Sequence, residues 1–385
     1  MTIPANESKT PITTSKTKVR LLSIDALRGF DMFWILGAEG LFAALFTITG
    51  WSFLQTFEQQ MQHSVWHGIT AYDGIFPLFI FLSGVSLGLA AKAIKEYSIE
   101  VQRQKYRHAV KRLFLLLFLG VVYNHGWGTG APFALDEVRY ASVLGRIGIA
   151  WFVAAMLVWH TSIRTQAYVV VGTLVGYWLL LTFVSIGDYG GGNYTATGAL
   201  NVWFDQHLLP GTTYRHALLD PEGILSNVNS IINALIGVFV GRAMKNFASQ
   251  PKKLLSYLIT AGVVMLVLGF AWGVFFPINK NLWTSSFVLV TCGYSSLLLA
   301  LFYFLIDVLK WQRWATFFAV IGMNSIVIYL STSLMTWTYT AKSLFGGFIA
   351  AAPLAWHGLL LIAAGLLIKW LVLYWLYQRK IFIKV

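Results

Sequence analysis

The stretch His63-Ser64-Val65-Trp66-His67-Gly68-Ile69-Thr70-Ala71-Tyr72-Asp73-Gly74-Ile75-Phe76-Pro77-Leu78-Phe79 changes character halfway along. Its first half mixes histidines, hydroxyls and glycine, as an aqueous loop does. From Asp73 the apolar residues run on to about residue 95, enough for a helix to cross about 30 Å of hydrocarbon at 1.5 Å per residue. Pro77 suits the start of that helix, where a missing N–H costs little. A histidine and a carboxylate therefore stand where water gives way to lipid, and the fold is that of a membrane protein.

The rest of the 385 residues agree. Hydrophobic residues make up 57% and charged residues 11%, with a mean hydropathy of +0.67, outside the balance of soluble domains. Apolar stretches at 22–47, 73–95, 111–125, 141–160, 167–187, 223–245, 254–276, 284–309, 315–335 and 354–377 predict an all-α polytopic protein of about ten transmembrane helices. The third stretch is marginal in length, and 338–352 reads as a re-entrant piece or an interfacial helix. Positive charge sets the orientation. With the N-terminus inside, inward segments hold 21 of the 28 lysines and arginines, and outward loops hold four, Arg139, Arg215, Lys280 and Lys342. Both termini are therefore expected in the cytoplasm. The same loops account for the net charge of +13 without a nucleic-acid partner.

Residues 1–20 are polar and carry no apolar core, so they read as a cytoplasmic tail rather than a cleavable signal, followed by one transmembrane domain over 21–385. Cys292 lies in a span and reads as packing. No internal repeat relates the two halves. No set of ligands at metal-site spacing follows His63 and His67, so no metal is expected.

Ionisable residues within spans are costly and mark function. Asp25, Arg28 and Asp31 follow at three-residue steps, which allows Arg28 to pair with either neighbour or to meet an anionic ligand from the cytoplasm. Lys369 lies at a comparable depth, where it either joins Arg28 or snorkels. Glu39, Asp73, Arg146 and His63 fall in the outer layer and form a candidate cluster. Asp220 and Glu222 read equally as site carboxylates or as an ordinary helix start. Lys280, Asn281 and Trp66 lie on the same side, as polar and aromatic lining or as interface residues, and Asn324 reads as glue between helices at mid-depth.

Six phrases occur in order: Ser23-Ile24-Asp25-Ala26-Leu27-Arg28-Gly29, His63 to Phe79, Val143-Leu144-Gly145-Arg146-Ile147, Asp220-Pro221-Glu222-Gly223, Asn279-Lys280-Asn281-Leu282-Trp283 and Gly322-Met323-Asn324-Ser325. With them the chain resembles the transmembrane acyltransferase family of heparan-alpha-glucosaminide N-acetyltransferase and its bacterial NagX-like relatives, from about residue 20 onward. The resemblance implies transfer of acetyl from cytoplasmic acetyl-CoA to an amino sugar or glycan on the far side of the membrane, with the family's catalytic histidine at His63 and Asp73 in the same phrase. It also implies a homodimer. Where the lysosomal member has an active-site asparagine, this chain carries Glu39, a carboxylate able to act as base. Arg28 and Lys369 are then expected to hold the CoA phosphates, and Arg146, Asp220, Glu222, Lys280, Asn281 and Trp66 to line the acceptor side. The lumenal domain of the lysosomal member has no counterpart ahead of the first span, so a bacterial inner membrane is the expected location. A transporter of amino sugars is the other class the span count allows.

Overall fold

The computed structural model describes residues 21–128 and 134–383, which form fifteen α-helices and one short hairpin. The helices are α1 (Leu22–Ile35), α2 (Leu41–Thr49), α3 (Ser52–Gln60), α4 (Ile75–Leu89), α5 (Ile99–His125), α6 (Val143–His160), α7 (Ile163–Phe183), α8 (Leu200–Leu208), α9 (Ile224–Asn246), α10 (Pro251–Gly273), α11 (Ser285–Phe302), α12 (Arg313–Met323), α13 (Ser325–Leu334), α14 (Trp337–Ala351) and α15 (His357–Gln378). The antiparallel strands β1 (Ser185–Ile186) and β2 (Tyr189–Gly190) make the hairpin between α7 and α8. The polar tail expected over 1–20 lies outside the described residues.

Among the described residues seven unbroken helical segments are long and apolar enough to cross a membrane, and the number rises to nine if each of two bent pairs counts as one span. The bent pairs are the expected first and ninth spans. α1 and its continuation meet at 65°, where Gly37 adopts φ +117, a conformation that disfavours any side chain. α12 and α13 meet at 62° around Asn324. The remaining expected span, 111–125, is the second half of α5, a 27-residue helix about 40 Å long. Its first half is polar and basic, which is why its mean apolarity is low. α14 is a 15-residue helix with Ala341 as its one buried residue, packed on α15, and it occupies the stretch expected to be re-entrant or interfacial.

Small residues set how closely the central helices cross, as they do where lipid supplies no hydrophobic drive. A Cβ on Gly84 of α4 would stand 2.0 Å from the carbonyl oxygen of Ala234, and one on Gly237 of α9 would stand 2.1 Å from that of Phe81. Gly88 and Gly241 repeat the contact one turn further on. Gly29 of α1 and Gly322 of α12 meet in the same way, which puts Gly322 beside Asp25 and Gly29. Asn324 follows two residues on, at the bend itself.

These crossings fix α4 against α9 and α1 against α12 in one apolar core. They also define two ends. One carries the loops that hold His63, Asp220 and Lys280; Arg28 and the termini of α12 and α15 mark the other.

Candidate active site

Asp73 enters the site from the short helical turn Tyr72–Gly74 that feeds α4. Its carboxylate is fully buried, so it needs partners at both oxygens. Oδ2 accepts the backbone N–H groups of Ser64 and Thr70 and the Thr70 hydroxyl, each at 3.1 Å. Oδ1 lies 2.8 Å from Nδ1 of His63. A carboxylate only accepts, so Nδ1 carries the proton and the lone pair rests on Nε2. The His63 ring is about half exposed and rests on Tyr72, with ring centroids 4.8 Å apart.

Lys280 reaches this pair from the turn between α10 and α11. Its Nζ stands 3.5 Å from Oδ1 of Asp73, 3.0 Å from Nδ1 and 3.1 Å from Nε2 of His63. Both ring lone-pair directions lie in the ring plane and diverge, so one ammonium cannot serve both nitrogens. With Nδ1 bound to Asp73, Nε2 is the acceptor that remains. Burial draws the lysine's pKa down, and the neighbouring Asp73 draws it partly back. The turn is held by Asn279, whose Oδ1 accepts the Leu282 N–H at 2.9 Å and whose amide donates to the Trp66 carbonyl at 2.9 Å. Asn281 is half-buried on the same turn, and no hydrogen bond among the described residues engages its amide.

The other residues expected on this side are more deeply committed. Asp220 is fully buried and receives Nε and Nη2 of Arg139, both at 2.7 Å, together with the N–H groups of Tyr214 and Glu222. Its lone pairs are used up, so it braces the loop and leaves nothing for an acceptor. Glu222 binds the same Arg139 at 2.5 Å and lies within electrostatic reach of Lys280. Burial works against the Arg139 guanidinium, but the two carboxylates outweigh it and raise its pKa above the ordinary value. Arg139, the hub of this network, has no motif around it in the sequence. Arg146 is 1% exposed; it donates to the Pro221 carbonyl at 2.8 Å, to Asn227 at 3.2 Å and to the Ser226 hydroxyl, and lies 4.4 Å above the Trp283 ring. It is a pillar behind the site. Trp66 gives its indole N–H to the Tyr194 carbonyl at 2.8 Å and so fastens the loop of His63 to the segment after the hairpin. Asp205 of α8 ties down the same region by accepting the Asp220 and Ile224 N–H groups; burial pushes its pKa up to about 6.

Glu39 sits in the turn between α1 and α2, within electrostatic reach of Tyr72 and Lys369, with Oε2 buried and unpartnered. It thus approaches His63 from beyond the tyrosine. Lys369 donates to the Leu36 carbonyl at the end of α1. That contact holds the α1–α2 bend and separates Lys369 from Arg28, with which depth alone had grouped it.

Arg28 pairs with Asp25 at 3.9 Å and donates to Ser86 at 3.3 Å, while Asp31 is buried elsewhere with one oxygen unpartnered. It lines a cavity of about 280 Å³ with Ser86, Arg112, Leu116, Tyr329 and Phe76. Along α4 the lining runs from Ser86 to Phe76, about 15 Å at 1.5 Å per residue. Phe76 is one helical turn from Asp73. Arg112 stacks over Trp151 at 4.1 Å with its Nε unpartnered. In the sequence it is the last of a basic run and reads as a topology charge.

No protein-family model matches the chain. It is 30% identical over 325 residues to the heparan-alpha-glucosaminide N-acetyltransferase of Mus musculus, an alignment that covers 71% of this chain and 49% of that protein. To the enzyme of the same name from Homo sapiens it is 29% identical over 330 residues, covering 70% and 48%. The chain spans about half the length of the curated relatives it matches.

Proposed function

We propose that this chain, which belongs to the family of the heparan-alpha-glucosaminide N-acetyltransferases, moves an acetyl group through the membrane from acetyl-CoA held at the Arg28 end to the amine of a glucosamine-type sugar at the His63 end. The observation that carries the reading is the cavity, which joins two arginines at one end to a point one helical turn from the His63–Asp73 pair. CoA has a polyanionic nucleotide, costly to bring into hydrocarbon, and an uncharged arm that ends in the thioester. Arg28 and Arg112 suit the phosphates and the apolar wall beyond them suits the arm. Lys369 is no longer a phosphate ligand in this reading.

Nε2 of His63 carries the chemistry. It either attacks the thioester carbonyl, expelling the CoA thiolate and leaving an acetyl-imidazole for the amine, or takes the proton from the amine as that group attacks directly. Both routes need the lone pair on Nε2, which the Asp73 contact fixes there. Lys280 must leave Nε2 as the thioester arrives, and its cation then lies beside the developing oxyanion. Glu39, beyond Tyr72, serves as base for the acceptor ammonium before the amine reaches the imidazole, Asn281 faces the sugar, and Glu222 lines the acceptor side through its hold on Arg139. Arg146, Asp220 and Trp66 hold the loops that carry these groups. The basic loops favour the cytoplasm for the Arg28 end, and a bacterial inner membrane fits that orientation.

The test is acetyl transfer by purified protein supplied with acetyl-CoA and a series of amino sugars. Wild type should acetylate at least one amine and His63→Ala should acetylate none. Equal turnover of the two at equal expression would overturn the assignment. In single turnover with labelled acetyl-CoA, acid-labile label on His63 would select the covalent route, and product formed without labelled protein would select direct attack.

A further inference from the structure

The chain does not stop at α15. After Gln378 it turns through Lys380, at φ +55, and residues 381–383 return to the bundle beside Asn324. The Asn324 side chain is 1% exposed, placed by the bend between α12 and α13. Its amide Nδ2 donates to the Ile381 carbonyl at 3.0 Å, and its Oδ1 accepts the Ile383 N–H at 3.0 Å. One side chain thus does what a neighbouring strand would, bonding the C=O of residue i and the N–H of i+2. Ile383, so held, is 52% exposed and lines the cavity beside Arg28, Ser86, Arg112 and Met323.

An apolar side chain fixed by a buried amide and yet left uncovered at the mouth of a cavity is a contact surface in waiting. Arg28 of α1 and Arg112 of α5 supply the cavity's cations; Ile383 supplies an aliphatic face. We infer that residues 381–383, positioned by Asn324, form a wall of the CoA mouth and set the affinity for the donor without taking part in transfer. The inference rests on the acetyl-CoA reading above. Asn324 is a positioning residue, acting through the tail, and the motif Gly322-Met323-Asn324-Ser325 acquires a task beyond joining helices.

Two measurements test it on the full chain in detergent or lipid. Asn324→Ala removes both bonds, so the tail must be ordered when CoA binds; the Kd for CoA and the KM for acetyl-CoA should rise about tenfold, a cost within the worth of two ordinary hydrogen bonds, with kcat within about threefold. Because that residue is buried at a bend, Ile383→Ala serves as the second variant, with a smaller rise in the same direction. In parallel, Ile383→Cys introduces a thiol into a chain whose one native cysteine, Cys292, is buried. Saturating CoA should slow its modification by a maleimide. Unchanged Kd in Ile383→Ala together with a modification rate indifferent to CoA would overturn the wall. Absence of CoA binding by the wild type would instead overturn the donor reading, and the wall with it.

Discussion

Asp73→Asn isolates one proton position. In the native site the carboxylate takes the Nδ1 proton of His63 on one oxygen and three donors from Ser64 and Thr70 on the other. An asparagine has one accepting oxygen. That oxygen stays with Ser64 and Thr70, where three donors converge, so the new NH2 group faces Nδ1. Nδ1 must then accept, the ring proton moves to Nε2, and the lone pair that either chemical route requires is gone. In serine proteases the equivalent exchange costs about ten-thousandfold through the same inversion. Here about a thousandfold to ten-thousandfold is expected, which corresponds to about 4 to 5.5 kcal/mol of barrier. The exchange also weakens a charge-assisted bond, so thermal stability should fall by about 1.5 to 3 kcal/mol. The two effects separate if transfer is measured well below the melting transition, with CoA binding as the control for folding. CoA affinity should be unchanged, because Arg28 and Arg112 lie at the other end of the cavity. Transfer within about fivefold of wild type, with CoA binding intact, would refute the tautomer argument.

Three further outcomes follow from the geometry. Lys280→Met keeps most of the side chain's apolar stem and removes its cation; if that cation meets the oxyanion, kcat should fall by about a hundredfold, with the KM for acetyl-CoA little changed, in steady-state kinetics. Gly237→Leu drives a side chain into the Phe81 carbonyl, 2.1 Å from the first added atom, so the α4–α9 crossing must open; loss of the monodisperse species in size-exclusion chromatography is expected, whereas Gly365→Leu, with open space around it, should leave the species intact. Asp205, with its pKa near 6 when folded against an ordinary value of 3.8, holds its proton more tightly in the native state. Its contribution to stability is therefore full below about pH 4, declines as pH rises through 6, and is constant above, a change of about 3 kcal/mol that Asp205→Asn should abolish in melting curves from pH 4 to 8.

Depth is what an apolar sequence makes legible, since residue number along a run converts directly to distance through the membrane. Hence the span positions, the placement of His63 with Asp73 ten residues on, and the arrival of Lys280 in the same layer can all be read from the order of residues alone. Direction around each helix is not legible in that way. Arg28 and Lys369 lie at similar depth, yet one faces the cavity and the other the end of α1. Asp220 and Glu222 are visible as carboxylates, but their partner Arg139 lies 81 and 83 residues away and no spacing announces it. Arg112 is hidden by its own neighbours, a basic run sufficient to explain the orientation of α5. Counting residues also assumes a straight helix, so it gives no sign of the 62° bend at Asn324 or of the Gly29–Gly322 contact just before it. The tail that it binds gives no signal, since residues 381–383 have no pattern of their own.

The most direct test of the account separates the two substrates by a bilayer. Protein is reconstituted in one orientation, acetyl-labelled CoA is sealed on the Arg28 side, and an impermeant amino sugar is supplied on the His63 side. The account predicts labelled N-acetyl product outside, CoA retained inside, and no product from His63→Ala vesicles. Product formed only when donor and acceptor share a compartment would contradict it.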